Sequence, residues 1–288
     1  MELDFYAAPG DLTNVERHAK VLTGLPADPR ELRAITAELI QHVGWSGAYD
    51  ATPPVPAGAA REAELNIRPA DEILDVVLGR SADIAGNRRP EQRMVGVCRH
   101  FAVLYCALLR ARHIPSRVRC GFAAYFRRSS PDEGFWDDHW ITERWTGRRW
   151  VRVDAQLDRV QLGQVAIDPD DVPEADFWPA AHAWRAYRAG RVDPARFGID
   201  GASGAWFIAA SVVRDLAALN KVEMLPWDFW AAMRDWGLRD EAIDLDLVDR
   251  LASIAYADPV AVRTAWEATP QVWPPADLSL VHSVREPR

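Results

Sequence analysis

Apolar residues along this chain repeat first with helical spacing, then with strand spacing, then with helical spacing again. Asp28-Pro29-Arg30-Glu31 predicts a helix start: an N-cap, a proline at the first helical position and a glutamate at the third. The following "ELRAITAELIQHV" keeps helical spacing through Val43. "TPPVPAGAA" (Thr52 to Ala60) predicts a surface loop, and "ADEILDVVLG" (Ala70 to Gly79) a second helix. In "GVCRHFAVLYCALL", Gly96 breaks the chain and a helix is expected from Val97 onward. Val97, Phe101, Leu104, Tyr105 and Leu108 would form its buried face. Ile114-Pro115 ends that helix.

Strand patterning follows. "SRVRCGFAAYF" (Ser116 to Phe126) predicts a strand and Arg127 to Asp138 a polar loop. His139 to Gln156 predicts a hairpin turning at Gly147. From about Val172 the spacing is helical in "AAHAWRAYRAG", "SGAWFIAASVVRDLAALN", "PWDFWAAMRDWG" and "DPVAVRTAWEA". The acidic stretch "DPDDVPEAD" marks the change. The expected organisation is a helical lead-in over residues 1–69, an α+β core over 70–170 and a mainly helical part over 171–288.

Candidate chemistry centres on Cys98. A cysteine in the first turn of a helix sits where backbone N–H groups and the helix dipole favour a thiolate and a developing oxyanion. Cys106 falls mid-helix and Cys120 within a strand, so neither has that advantage. Without a partner, a buried first-turn cysteine reads as a core residue. His100 is a poor partner, because residues two apart on a helix face different ways. His139 is better placed. A two-residue turn at Gly147-Arg148 pairs Trp145 with Trp150, Glu143 with Arg152, and Ile141 with Asp154. His139 and Asp154 then share a face as diagonal neighbours, roughly 7–8 Å apart at the backbone. A three-residue turn would put Asp154 on the other face.

"GVCRHFAVLYCALLRARHIPSRVRCGF" and "DDHWITERWTGRRWVRVDAQ" together resemble the transglutaminase-like superfamily. The shared features are a Gly-x-Cys helix start, an apolar helix, an Ile-Pro-x-Arg turn into a strand and a Trp-x-x-x-Asp strand end, over roughly Ala70 to Gln156. The resemblance implies a papain-like α+β fold, with the helix that starts at the catalytic cysteine packed on an antiparallel sheet. It implies Cys98 as nucleophile, His139 as general base and acid, and Asp154 as the residue that orients the imidazole. Gln92, six residues before Cys98, is the candidate for a second oxyanion donor. Two departures stand out: Ala155 follows the aspartate where proline is common, and Asp138 precedes His139.

Composition narrows the partners. The 288 residues carry a net charge of −8, which argues against a nucleic-acid partner. Three cysteines do not make a disulfide framework. No run approaches about 18 apolar residues and no signal peptide is evident, so a reducing cytoplasm and no membrane are expected. The Cys98, His100, Cys106, His113 and Cys120 set lacks a zinc-site spacing, and "DPDDVPEAD" lacks that of a calcium loop, so no metal or cofactor is expected. The expected substrate is a peptide, protein or small-molecule amide, ester or thioester. The alternatives are a catalytically inactive binding module of the same fold and an acyltransferase acting on a small-molecule amine.

Overall fold

Asp28 accepts the backbone N–H groups of Arg30 and Glu31 at 2.7 and 3.2 Å, and helix α1 (Pro29–Leu39) begins there. The helix stops short of Val43. Ile40–His42 instead forms strand β1, which runs parallel to β2 (Met94–Gly96) with Ile40 opposite Met94. That partner lies far along the chain, so local helical spacing loses to pairing. The computed structural model describes residues 2–49, 58–128, 134–255, 257–277 and 281–283. Most of the proline-rich stretch from Thr52 lies outside them. Helices and strands mix in an α+β fold.

The chain divides into two compact units. One comprises residues 1–118 and 140–172; the other comprises residues 119–139 and 173–288.

In the first unit, α2 (Ala70–Arg80) and α1 flank α3 (Cys98–Arg110). Every residue of α3 is buried, so it has no solvent face, contrary to the single apolar face that the spacing predicts. Its polar residues are compensated. Arg110 donates to the Ser116 carbonyl and to Thr13 Oγ1, and Arg99 donates to the Arg68 carbonyl. Gly96 permits the close fit at the head of α3. A Cβ there would come within 2.8 Å of Ile40 Cγ2 and 3.1 Å of His100 Cβ.

Strands β3 (Ser116–Ala123) and β4 (Trp136–Trp145) each have one end in this unit, and β5 (Trp150–Val153) pairs antiparallel with β4. β4 starts three residues before the expected position, taking in part of the predicted loop. The register is the one the charge and tryptophan pairs predict: Trp145 opposite Trp150, Glu143 opposite Arg152. The turn has two residues. Thr146 N–H donates to the Arg149 carbonyl at 3.0 Å, and Gly147 takes a φ of +88°, as hairpin turns of this length require.

In the second unit the strand order is β6-β3-β4-β7-β8, with β6 (Phe177–Pro179), β7 (Phe197–Ile199) and β8 (Ala202–Ser203) short. β7 lies parallel to β4, so the sheet is mixed where an antiparallel one was expected. The intervening α4 (Ala180–Arg188) supplies the long connection that a parallel entry needs. The helical part thus also contributes strands. Its centre is α5 (Ala205–Leu219), packed by α4 and by α6 (Leu245–Ile254), a helix not foreseen from spacing. α7 (Pro259–Glu267) matches its predicted segment, whereas "PWDFWAAMRDWG" is helical only over Ala232–Trp236. Asp215 of α5 receives Arg119 in a two-bond ion pair at 2.9 and 2.7 Å, and also accepts the Cys120 N–H at 2.9 Å.

Candidate active site

Cys98 is the first residue of α3, and its N-cap is Val97 in extended conformation. The cap is closed by His100. Its Nδ1 accepts the Val97 N–H at 3.1 Å, while its own N–H donates to the Val97 carbonyl at 2.8 Å. Accepting at Nδ1 leaves the proton of a neutral ring on Nε2. Burial pushes the His100 pKa down to about 3, with Arg99 adding repulsion, so the ring stays neutral at pH 7. His100 is therefore part of the helix cap.

All three cysteines are unbridged and buried. Cys98 is 5% exposed; Cys106 and Cys120 are 0% exposed. The Cys106 sulfur lies 3.3 Å from Ser116 Oγ, well inside the helix-to-strand packing.

β4 carries His139. Three residues further on, Thr142 Oγ1 donates to the Ala102 carbonyl of α3 at 2.9 Å, fixing β4 against the helix that begins at Cys98. Thr142 is also the residue opposite Val153, directly before Asp154. In the first unit, α3, β4 and the end of β5 are thus packed together. Asp154 is fully buried; its N–H donates to the Pro169 carbonyl at 2.8 Å, and its Oδ1 accepts the Gln156 N–H at 2.9 Å. A carboxylate so held cannot swing freely.

His139 is 2% exposed and belongs to the second unit. The rings of Tyr125 and Phe126 meet it edge to face, at centroid distances of 5.9 and 5.0 Å. Its two preceding residues are acidic. Asp137 is held by Arg127, whose Nη2 lies 2.6 Å from Oδ1. Burial pushes Asp138 up to about 6, against the opposing pull of Arg214 and His139. Asp138 is thus a titrating neighbour of the histidine rather than a fixed charge.

Gln92 ends a single 3-10 turn, Pro90–Gln92, and its Oε1 accepts the Arg89 N–H at 3.1 Å. Its carbonyl oxygen is thereby committed locally. Among the described residues no group of three or more His, Cys, Asp or Glu side chains could hold a metal ion, and no helix is long and apolar enough to cross a membrane.

Sequence reasoning missed what stands behind Asp154. Gln156, Gln161, Tyr49 and Asp158 form a buried polar chain there. Its members are up to 112 positions apart, and nothing in local spacing links them.

No curated protein matches the chain. A crystal structure from Cytophaga hutchinsonii, provisionally named a cysteine protease, is similar at 18% identity and a TM-score of 0.33, over 56% of this chain and 43% of that one. Residues 80–155, which contain Cys98, His139 and Asp154, match the transglutaminase-like superfamily. The likeness to that family is one of residues 80–155.

Proposed function

We propose that this protein is a thiol enzyme that works through an acyl-enzyme on Cys98. The positive end of α3 favours the Cys98 thiolate, and the backbone N–H groups there are the donors for an oxyanion. The thiolate attacks the carbonyl of an amide, ester or thioester. His139 takes the Cys98 thiol proton and gives it to the leaving amine, alcohol or thiol, and Asp154 holds the imidazole in the productive tautomer. A thioester forms, and water or an amine then takes the acyl group. With water the reaction is hydrolysis; with an amine it is acyl transfer. Gln92 enters as a second oxyanion donor through its Nε2, since its Oε1 is used by Arg89.

One observation carries this reading. The β4–β5 register supports it: Asp154 directly follows the Thr142–Val153 pair, on the strand beside the one that carries His139.

The test is covalent trapping. Incubation with an activated ester such as a p-nitrophenyl acyl ester should add one acyl group on Cys98, seen by intact-protein and peptide mass spectrometry. Cys98→Ala should abolish it. Added primary amine that speeds deacylation identifies transfer; a rate set by water alone identifies hydrolysis. No adduct at Cys98 would favour a binding module instead.

A further inference from the structure

Behind Asp154 the hydrogen bonds all run one way. Gln156 Nε2 donates to Gln161 Oε1 at 3.1 Å, and Gln161 Nε2 donates to the Tyr49 hydroxyl at 3.0 Å. Tyr49 Oη in turn donates to Asp158 Oδ2 at 2.7 Å. Arg93 Nη1 donates to that same oxygen at 2.8 Å, and its guanidinium lies 5.4 Å from the Tyr49 ring centre. Every one of these side chains is less than 10% exposed.

The direction follows from the charge at one end. A carboxylate accepts and cannot donate, so Tyr49 must give its proton to Asp158. The Tyr49 oxygen then accepts, which turns the Gln161 amide nitrogen toward it. Gln161 Oε1 is left facing Gln156, whose amide nitrogen must point back. Asp158 and Arg93 thereby set the orientation of two amides in sequence. Gln156 depends on this more than most buried amides do, because its Oε1 has no partner among the described residues. Its side chain is held by the Gln161 bond, and its main-chain N–H donates to Asp154 Oδ1. Arg93 also lies directly before β2, the strand that leads to Cys98.

We propose that Tyr49 and Gln161 are positioning residues for Asp154: through Gln156 they fix the turn that aims the carboxylate. This rests on the proposed Cys98–His139–Asp154 chemistry. Breaking the chain at the Tyr49 hydroxyl lets Gln156 turn and loosens Asp154, so His139 is held less firmly as the imidazolium partner of the thiolate.

The experiment measures the pH dependence of iodoacetamide alkylation at Cys98 in the full chain, with the melting temperature as a parallel readout. Tyr49→Phe keeps the ring and removes both bonds. Gln161→Glu keeps the size and puts an oxygen where Tyr49 needs a donor. Both should move the Cys98 inflection upward and slow alkylation at pH 6 by roughly threefold or more. Thr36→Ala, which removes a buried bond to the Leu32 carbonyl in the same unit, is the control. It should lower the melting temperature and leave the inflection in place. A depressed wild-type inflection that Tyr49→Phe and Gln161→Glu leave unmoved overturns this inference alone. A wild-type inflection like that of an ordinary thiol overturns the catalytic reading and this inference with it.

Discussion

Thr142 stands opposite Val153 in the β4–β5 ladder, and its hydroxyl reaches back 2.9 Å to the Ala102 carbonyl of α3. One side chain thus ties the strand that carries His139, the strand that leads to Asp154 and the helix that starts at Cys98.

The hairpin turn is the weak point of that arrangement. Gly147 has φ +88°, which a side chain resists, so Gly147→Val should cost about 1–2 kcal/mol. Inserting one glycine between Gly147 and Arg148 should do something different. It shifts β5 by one residue and turns Asp154 to the opposite face. Chemical denaturation measures the first effect, and loss of the low-pH reactivity of Cys98 measures the second.

Asp215 should be costly to remove. It is fully buried, holds Arg119 by two bonds and caps the Cys120 N–H. Asp215→Ala takes the carboxylate from a buried guanidinium and should destabilise the protein by about 3–5 kcal/mol in urea unfolding. Replacing Arg119 with Met as well should recover part of that loss.

His100 gives stability a pH dependence of definite sign. Its folded pKa, about 3, lies below the unfolded value of about 6.5, so the unfolded chain takes up the proton first. The contribution is whole above pH 6.5 and is lost as pH falls toward 3. Between pH 7 and 5 the loss should be about 2 kcal/mol. Asp138, raised to about 6, works in the opposite sense, because its folded form holds a proton that the unfolded form releases. Comparing His100→Asn with wild type at both pH values isolates the histidine, and the asparagine variant should show the smaller acid loss.

Much of the candidate site was legible because its determinants are local. The turn residue, the Trp145–Trp150 and Glu143–Arg152 pairs and the Gly-x-Cys helix start all act within a few positions. What was hidden depends on distant partners. Ile40–His42 reads as helix and becomes strand because Met94–Gly96 pairs with it. α3 reads as one-sided and is buried on every side because Arg99 and Arg110 find carbonyls at Arg68 and Ser116. The chain from Gln156 to Asp158 passes through Tyr49, more than a hundred positions away. Short strands β6 to β8 carry too few residues for a period to show.

The central claim is that Cys98 is a nucleophile activated by His139, and the pH profile of cysteine alkylation tests it most directly. Iodoacetamide labelling of each cysteine, followed by mass spectrometry, should show Cys98 reacting well below pH 8 while fully buried Cys106 and Cys120 stay inert. In His139→Ala the Cys98 reaction should slow at neutral pH and its inflection should rise toward that of a free thiol. A Cys98 that is inert in the folded protein, or whose profile is the same with and without His139, would contradict the account.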